Sequence, residues 1–107
     1  MNQKNSIWKD EMPSQLIEAL ISIDNSELLQ NFLRDVMTEK EIIEISARLE
    51  AAKLLKQSKK YDEIIARTGL SSRTLARISS WLKDGCGGYE TVIDSINHHA
   101  HIMPARD

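Results

Sequence analysis

Arg73 and Arg77 stand four residues apart in the segment "YDEIIARTGLSSRTLARISSWLK", residues 61–83. On a helix, that spacing puts two guanidinium groups on one face, each with five N–H donors suited to phosphate or to a guanine edge. At 100° per residue, Leu75, Ile78 and Leu82 fall within an arc of about 60° on the other side. Arg73, Ala76, Arg77 and Ser80 centre on the outward face. Ser71 is placed to cap this helix. Ser72 and Thr74 lie in its first turn, where free backbone N–H groups attract an anion. Lys59 and Lys60 precede the segment. Solvent, an acidic protein, a small anion and a nucleic acid could each meet such a face.

Something must hold that helix outward. Tyr61–Thr68 reads as a short helix with Ile64 and Ile65 inward, and Gly69 supplies a tight turn before Leu70 and Ser71. Two short helices around such a turn make a helix-turn-helix. The usual motif has a small residue four positions before its glycine, and here that position is Ile65. The outward face then satisfies the needs of a recognition helix. Its first polar residues hold phosphates, its arginines reach base edges, and Ala76 permits close approach.

Charge points the same way. Residues 59–83 hold six basic and two acidic side chains, net +4. Residues 1–58 hold seven and ten, net −3, and residues 84–107 hold one and four, net −3. A basic segment on a chain of net charge −2 favours an anionic partner at that segment.

The rest of the 107 residues reads as helix. No apolar/polar alternation or hairpin dipeptide signals a strand. The length suits a single domain over 1–107. Its expected parts are a polar arm (1–12), dimerisation helices (13–58), the helix-turn-helix (59–83), a C-terminal helix (84–97) and a flexible tail (98–107). Pro13 suits a first helical turn. "SQLIEALISI" carries an apolar stripe of Leu16, Ile17, Leu20 and Ile21. Asp24, with Glu27, is expected to cap a helix that buries Leu28, Leu29, Phe32, Leu33 and Val36. Thr38 and Glu41 form a capping box, with Met37 and Ile42 at the staple positions, for a helix running to about Ser58. That helix has two apolar stripes, one of Ile42, Ile45, Leu49 and Ala52, the other of Ile43, Ala47, Ala51 and Leu54. One partner cannot cover both, so a second subunit is expected. "DGCGGYE" stops the second short helix, and Val92, Ile93 and Ile96 belong to a final one.

Several function classes receive no support. There is no triad, no phosphate-binding glycine loop and no pair of carboxylates with an evident role, so no enzyme is expected. His98, His99 and His101 lack acidic or thiol companions at ligand spacing, so no metal is expected, and no cofactor is implied. Cys86 has no base placed to activate it. No secretory or membrane-spanning segment is visible, and one cysteine fits a reducing cytoplasm.

The chain resembles the tryptophan repressor family, in particular its uncharacterised repressor-like branch. The resemblance covers roughly residues 14–97. It is strongest in "MTEKEIIEISARLEAAKLL" followed at fixed distance by "TGLSSRTLARISSWLK". It implies an all-α fold of six helices, interlocked into a homodimer whose helix-turn-helix heads bind double-stranded DNA and repress transcription. It also implies an effector pocket. Thr38 and Arg48 match the family's core-side ligand contacts, and Arg77 matches the arginine that meets the ligand carboxylate. Ile78 and Trp81 stand where the repressor is small, so tryptophan is not the expected effector. A helical interaction module, whose basic face meets an acidic protein or RNA, is the alternative function.

Overall fold

The computed structural model describes the backbone of residues 3–102 and the side chains of residues 6–98. A 3-10 segment, Gln3–Lys9, precedes six α-helices: α1 (Glu11–Ile21), α2 (Ser26–Val36), α3 (Glu39–Lys56), α4 (Tyr61–Thr68), α5 (Ser72–Asp84) and α6 (Gly88–Ile102). Among the described residues there is no strand. The chain forms two compact units, residues 1–43 and 44–107, divided within α3.

In the first unit, the expected polar arm contains the 3-10 segment, which lies against α1. Trp8 and Ile17 line a groove there with Ser14 and Glu18, and about half of the Trp8 surface is covered. The apolar body of the indole explains why this polar stretch folds back. Pro13 occupies the first turn of α1, as expected. The cap of α2 is Asn25, not Asp24: the Asn25 side chain accepts from the Leu28 N–H at 2.8 Å. The two residues are chemically alike, and the extended backbone of Asn25 (φ −141°) is what brings its oxygen over the helix end.

The expected burial along α2 is not found within one chain. Leu28, Leu29 and Val36 are exposed, and Phe32 and Leu33 are half-buried. Leu16, Ile17 and Ile21 of α1 are exposed too. No described side chain of residues 6–43 is fully buried. Periodicity identified the apolar faces correctly, but it does not say what covers them.

The Thr38–Glu41 capping box opens α3 as expected. The Thr38 N–H donates to Glu41 Oε1 at 2.8 Å, and the Glu41 N–H donates to Thr38 Oγ1 at 3.1 Å. Ile43 and Ile45 are exposed, while Ala51 and Ala52 are fully buried. The helix ends at Lys56, two residues before the expected Ser58. Ser58 takes a left-handed conformation (φ +61°), the Ser58 N–H reaches the Leu55 carbonyl at 3.0 Å, and the Lys59 N–H reaches the Leu54 carbonyl at 3.0 Å. These are the two bonds of a Schellman ending, here without its usual glycine.

The second unit holds the core. Ala51 and Ala52 of α3, Ile64 of α4, Leu75 and Ile78 of α5, and Ile93 of α6 are buried together. The two alanines leave room for the larger side chains of three other helices. Each of the four large side chains contributes about 1.5–3 kcal/mol by leaving water. Leu49, Leu54, Leu70, Leu82 and Tyr89 are among the residues packed around them. Lys56 Nζ reaches Asp94 Oδ1 at 3.0 Å and Glu90 Oε1 at 3.6 Å, tying the end of α3 to α6. The last helix continues past residue 97, the expected end, to Ile102. Val92 and Ile96 are exposed on it.

Candidate nucleic-acid interface

The α4–turn–α5 element is closed by local bonds. The Gly69 N–H donates to the Ile65 carbonyl at 2.8 Å, with Gly69 in the left-handed region at φ +75°. Beyond its two chain neighbours, no residue has an atom within 4 Å of where a Gly69 side chain would begin, so glycine serves the backbone conformation rather than a tight fit. The Thr68 hydroxyl donates to the Ile64 carbonyl at 2.7 Å and accepts from the Leu70 N–H at 3.3 Å. Ser71 then caps α5, its Oγ accepting from the Thr74 N–H at 3.1 Å and donating to Thr74 Oγ1 at 3.1 Å. The Ser71 and Thr74 hydroxyls are thus engaged with each other. Ser72 is exposed beside them.

The two faces of α5 fall where the wheel puts them. Leu75 and Ile78 are fully buried and Leu82 is half-buried, while Arg73, Ala76, Arg77 and Ser80 are exposed. Lys59 and Lys60 are exposed ahead of α4. Among the described residues, none of Lys59, Lys60, Arg73 and Arg77 makes an ion pair. All four cations are exposed to water, and the two on α5 share its outward side with Ala76 and Ser80. Such a face attracts a polyanion.

Arg67 belongs to the same basic segment, but nothing in its local spacing marks it for a role. Its Nε lies 3.4 Å from Glu50 Oε2 on α3. The two residues are 17 apart, beyond any helical spacing, so no local signal links them.

The expected effector residues are found in different settings. The Thr38 hydroxyl is used by the capping box, donating to Glu41 Oε1 at 3.1 Å as well as accepting. Arg48 pairs with Glu44 at 3.6 Å, and its Nε is buried without a partner among the described residues. Burial pushes the Tyr89 phenol above its ordinary pKa, and the charge of Arg48 acts against that shift, so the two groups interact. Trp81 is 45% exposed. No hydrogen bond or ion pair among the described residues joins Arg48 to Arg77 or Trp81.

Among the described residues, no three His, Cys, Asp or Glu side chains group as metal ligands. His98 is exposed, while the side chains of His99 and His101 lie outside the described residues, as does the tail beyond 102. Cys86 is an exposed free thiol. No described helix is long and apolar enough to cross a membrane.

The family model "Trp repressor protein" matches residues 11–97. The chain belongs to the Trp repressor family. Trp repressor family membership places it among DNA-binding transcriptional regulators. The uncharacterised protein YerC of Bacillus subtilis (strain 168) is 32% identical over 82 residues, 77% of this chain and 79% of YerC. A crystal structure of a provisionally assigned Trp repressor from Staphylococcus aureus superposes with a TM-score of 0.82 at 28% identity, covering 90% of this chain and 96% of that one. A TrpR-like protein from Eubacterium eligens ATCC 27750 gives 0.81 at 32% identity, covering 87% and 96%. The all-α Trp-repressor-like fold expected from the sequence is therefore confirmed.

Proposed function

We propose that this Trp repressor family member is a cytoplasmic homodimer that binds double-stranded DNA in a sequence-specific manner and represses transcription. The observation that carries the reading is the outward face of α5. Arg73 and Arg77 are exposed and unpaired there, directly opposite the buried Leu75 and Ile78. In this reading the first-turn N–H groups of α5 and the Ser72 hydroxyl hold phosphate, with Ser71 and Thr74 shaping that helix end. Arg73 and Arg77 reach base edges, Ala76 lets the helix enter the groove, and Ser80 touches the backbone. Lys59 and Lys60 contact the flanking strand.

The homodimer is supported by the apolar side chains left exposed on one chain. Leu16, Ile17, Ile21, Leu28, Val36, Ile43 and Ile45 amount to more apolar surface than a lone soluble domain usually shows. A second copy is the partner that such a family member would use. Two-fold symmetry would set the recognition helices about 34 Å apart, one DNA turn, on a palindromic operator. Free tryptophan is not the effector in this reading, because Trp81 adds an indole beside Arg77 on α5.

Two measurements test it. Selection from random duplex DNA should return a palindromic site whose affinity falls steeply with salt. Sedimentation should give about twice the 12.2 kDa chain mass. No DNA binding at low salt would defeat the reading and leave the acidic-protein or RNA module, and a folded monomer would remove the dimer.

A further inference from the structure

The six cations of residues 59–83 are not held alike. Among the described residues, Lys59, Lys60, Arg73, Arg77 and Lys83 make no ion pair, whereas Arg67 Nε donates to Glu50 Oε2 at 3.4 Å. The other Glu50 oxygen, Oε1, lies 3.8 Å from Lys53 Nζ. One carboxylate is therefore shared by two cations, and the cluster keeps a net charge of +1.

We propose that Arg67 is a phosphate-contacting residue of the DNA interface and that Glu50 positions it. The inference rests on the DNA-binding reading above. A guanidinium has five N–H donors. Using Nε on Glu50 leaves the four N–H groups of the Nη end, the fork that matches two phosphate oxygens. The Arg67 side chain is 70% exposed, against 30% for Glu50, so the carboxylate is the more anchored partner and the arginine the accessible one.

Position along the chain supports the role. Arg67 lies in the last turn of α4, two residues before Gly69 and four before the α5 cap Ser71. The same turn thus carries an oriented arginine and the anion-favouring end of α5. The purely structural alternative is a tether between α3 and α4. An ion pair this exposed adds little to stability, because water screens it and ordering two long side chains opposes it. Stability alone is a weak reason for placing a carboxylate beside a DNA-facing surface.

The two roles predict opposite signs for one mutation. Removing the negative charge of Glu50 should tighten DNA binding on simple electrostatic grounds. If Glu50 positions Arg67, Glu50→Ala should instead weaken it.

The test uses the full chain and a labelled duplex carrying the site selected by the wild type, followed by anisotropy across a salt series. Arg67→Ala should lose affinity several-fold, keep its sequence preference, and reduce the salt slope by about one for each phosphate contact removed. Arg67→Lys should keep most of the slope, because the charge remains, while losing affinity with the fork. Glu50→Ala should weaken binding several-fold in the wild type and have no weakening effect in Arg67→Ala, a coupling that independent sites would not show. Melting curves establish that each variant is folded, and if Arg67→Ala is not, Arg67→Lys against Glu50→Ala carries the comparison. Wild-type affinity and slope in Arg67→Ala, while Arg73→Ala loses binding, would overturn this inference and leave DNA binding intact. Tighter binding of Glu50→Ala in both backgrounds would overturn the positioning role. A wild type that binds no duplex defeats the underlying reading as well.

Discussion

Lys56 Nζ lies 3.0 Å from Asp94 Oδ1, and this contact joins the last turn of α3 to the middle of α6. Asp94, and more weakly Glu90, hold the Lys56 ammonium above its ordinary pKa, although partial burial opposes them. A raised folded-state pKa means the folded chain binds this proton more tightly than the unfolded chain does. The stabilisation is complete below the unfolded-state pKa of about 10.4 and disappears as pH rises through the folded value. Melting temperature should therefore decline as pH is raised from about 9 to above 11, and Lys56→Met should lose this component of the decline. Equal alkaline profiles for the two proteins would show that the contact contributes nothing.

Two left-handed positions should answer oppositely to substitution. Ser58 ends α3 with a side chain where glycine is easiest, so Ser58→Gly should stabilise by about 1 kcal/mol. Gly69→Ala should destabilise by about 1–2 kcal/mol through backbone conformation alone, since no atom crowds the new methyl group. Gly69→Asn should cost less, because asparagine tolerates this region. Urea denaturation measures all three, and a neutral Gly69→Ala would contradict the account.

Base-reading and phosphate-reading residues should separate in binding experiments. Arg73→Ala should cost about 1–3 kcal/mol and relax sequence preference. Lys60→Ala should weaken all sequences about equally and reduce the salt slope by about one. Identical behaviour would mean that the two roles are wrongly assigned.

Tryptophan should neither bind tightly nor be needed. Calorimetry of the wild type with free tryptophan should show no tight binding. If the Trp81 indole does the work of an effector, held near Arg48 or Arg77 as a cation–π partner, then Trp81→Ser should fold but lose DNA affinity. Full-strength DNA binding by folded Trp81→Ser would mean that Trp81 merely packs. Tight tryptophan binding would end the idea.

The parts that were legible in the sequence are those set by short-range chemistry. The Thr38–Glu41 box, the Gly69 turn and the Ser71 cap follow from residues within four or five positions of one another, the two faces of α5 follow from helical spacing along that one segment, and the structure has each of them. The misses have different causes. Asp24 and Asn25 offer similar capping chemistry, and only backbone conformation chooses Asn25. Ser58 ends α3 without the glycine that would announce it. Leu28 and Val36 belong to a real apolar face, but amphipathicity cannot tell whether the covering partner is in the same chain. Arg67 depends on Glu50, and that pairing exists only once α4 has packed on α3.

The connections within residues 44–107 have a kinetic meaning. The helices α3, α4, α5 and α6 follow one another with only residues 57–60, 69–71 and 85–87 between them. Closing such short loops is fast, and a core built from neighbours along the chain has low contact order. Refolding of this unit should be a submillisecond-to-millisecond, concentration-independent phase. A slower phase that accelerates with protein concentration would then report on residues 6–43, whose apolar side chains find no complete cover within a single chain.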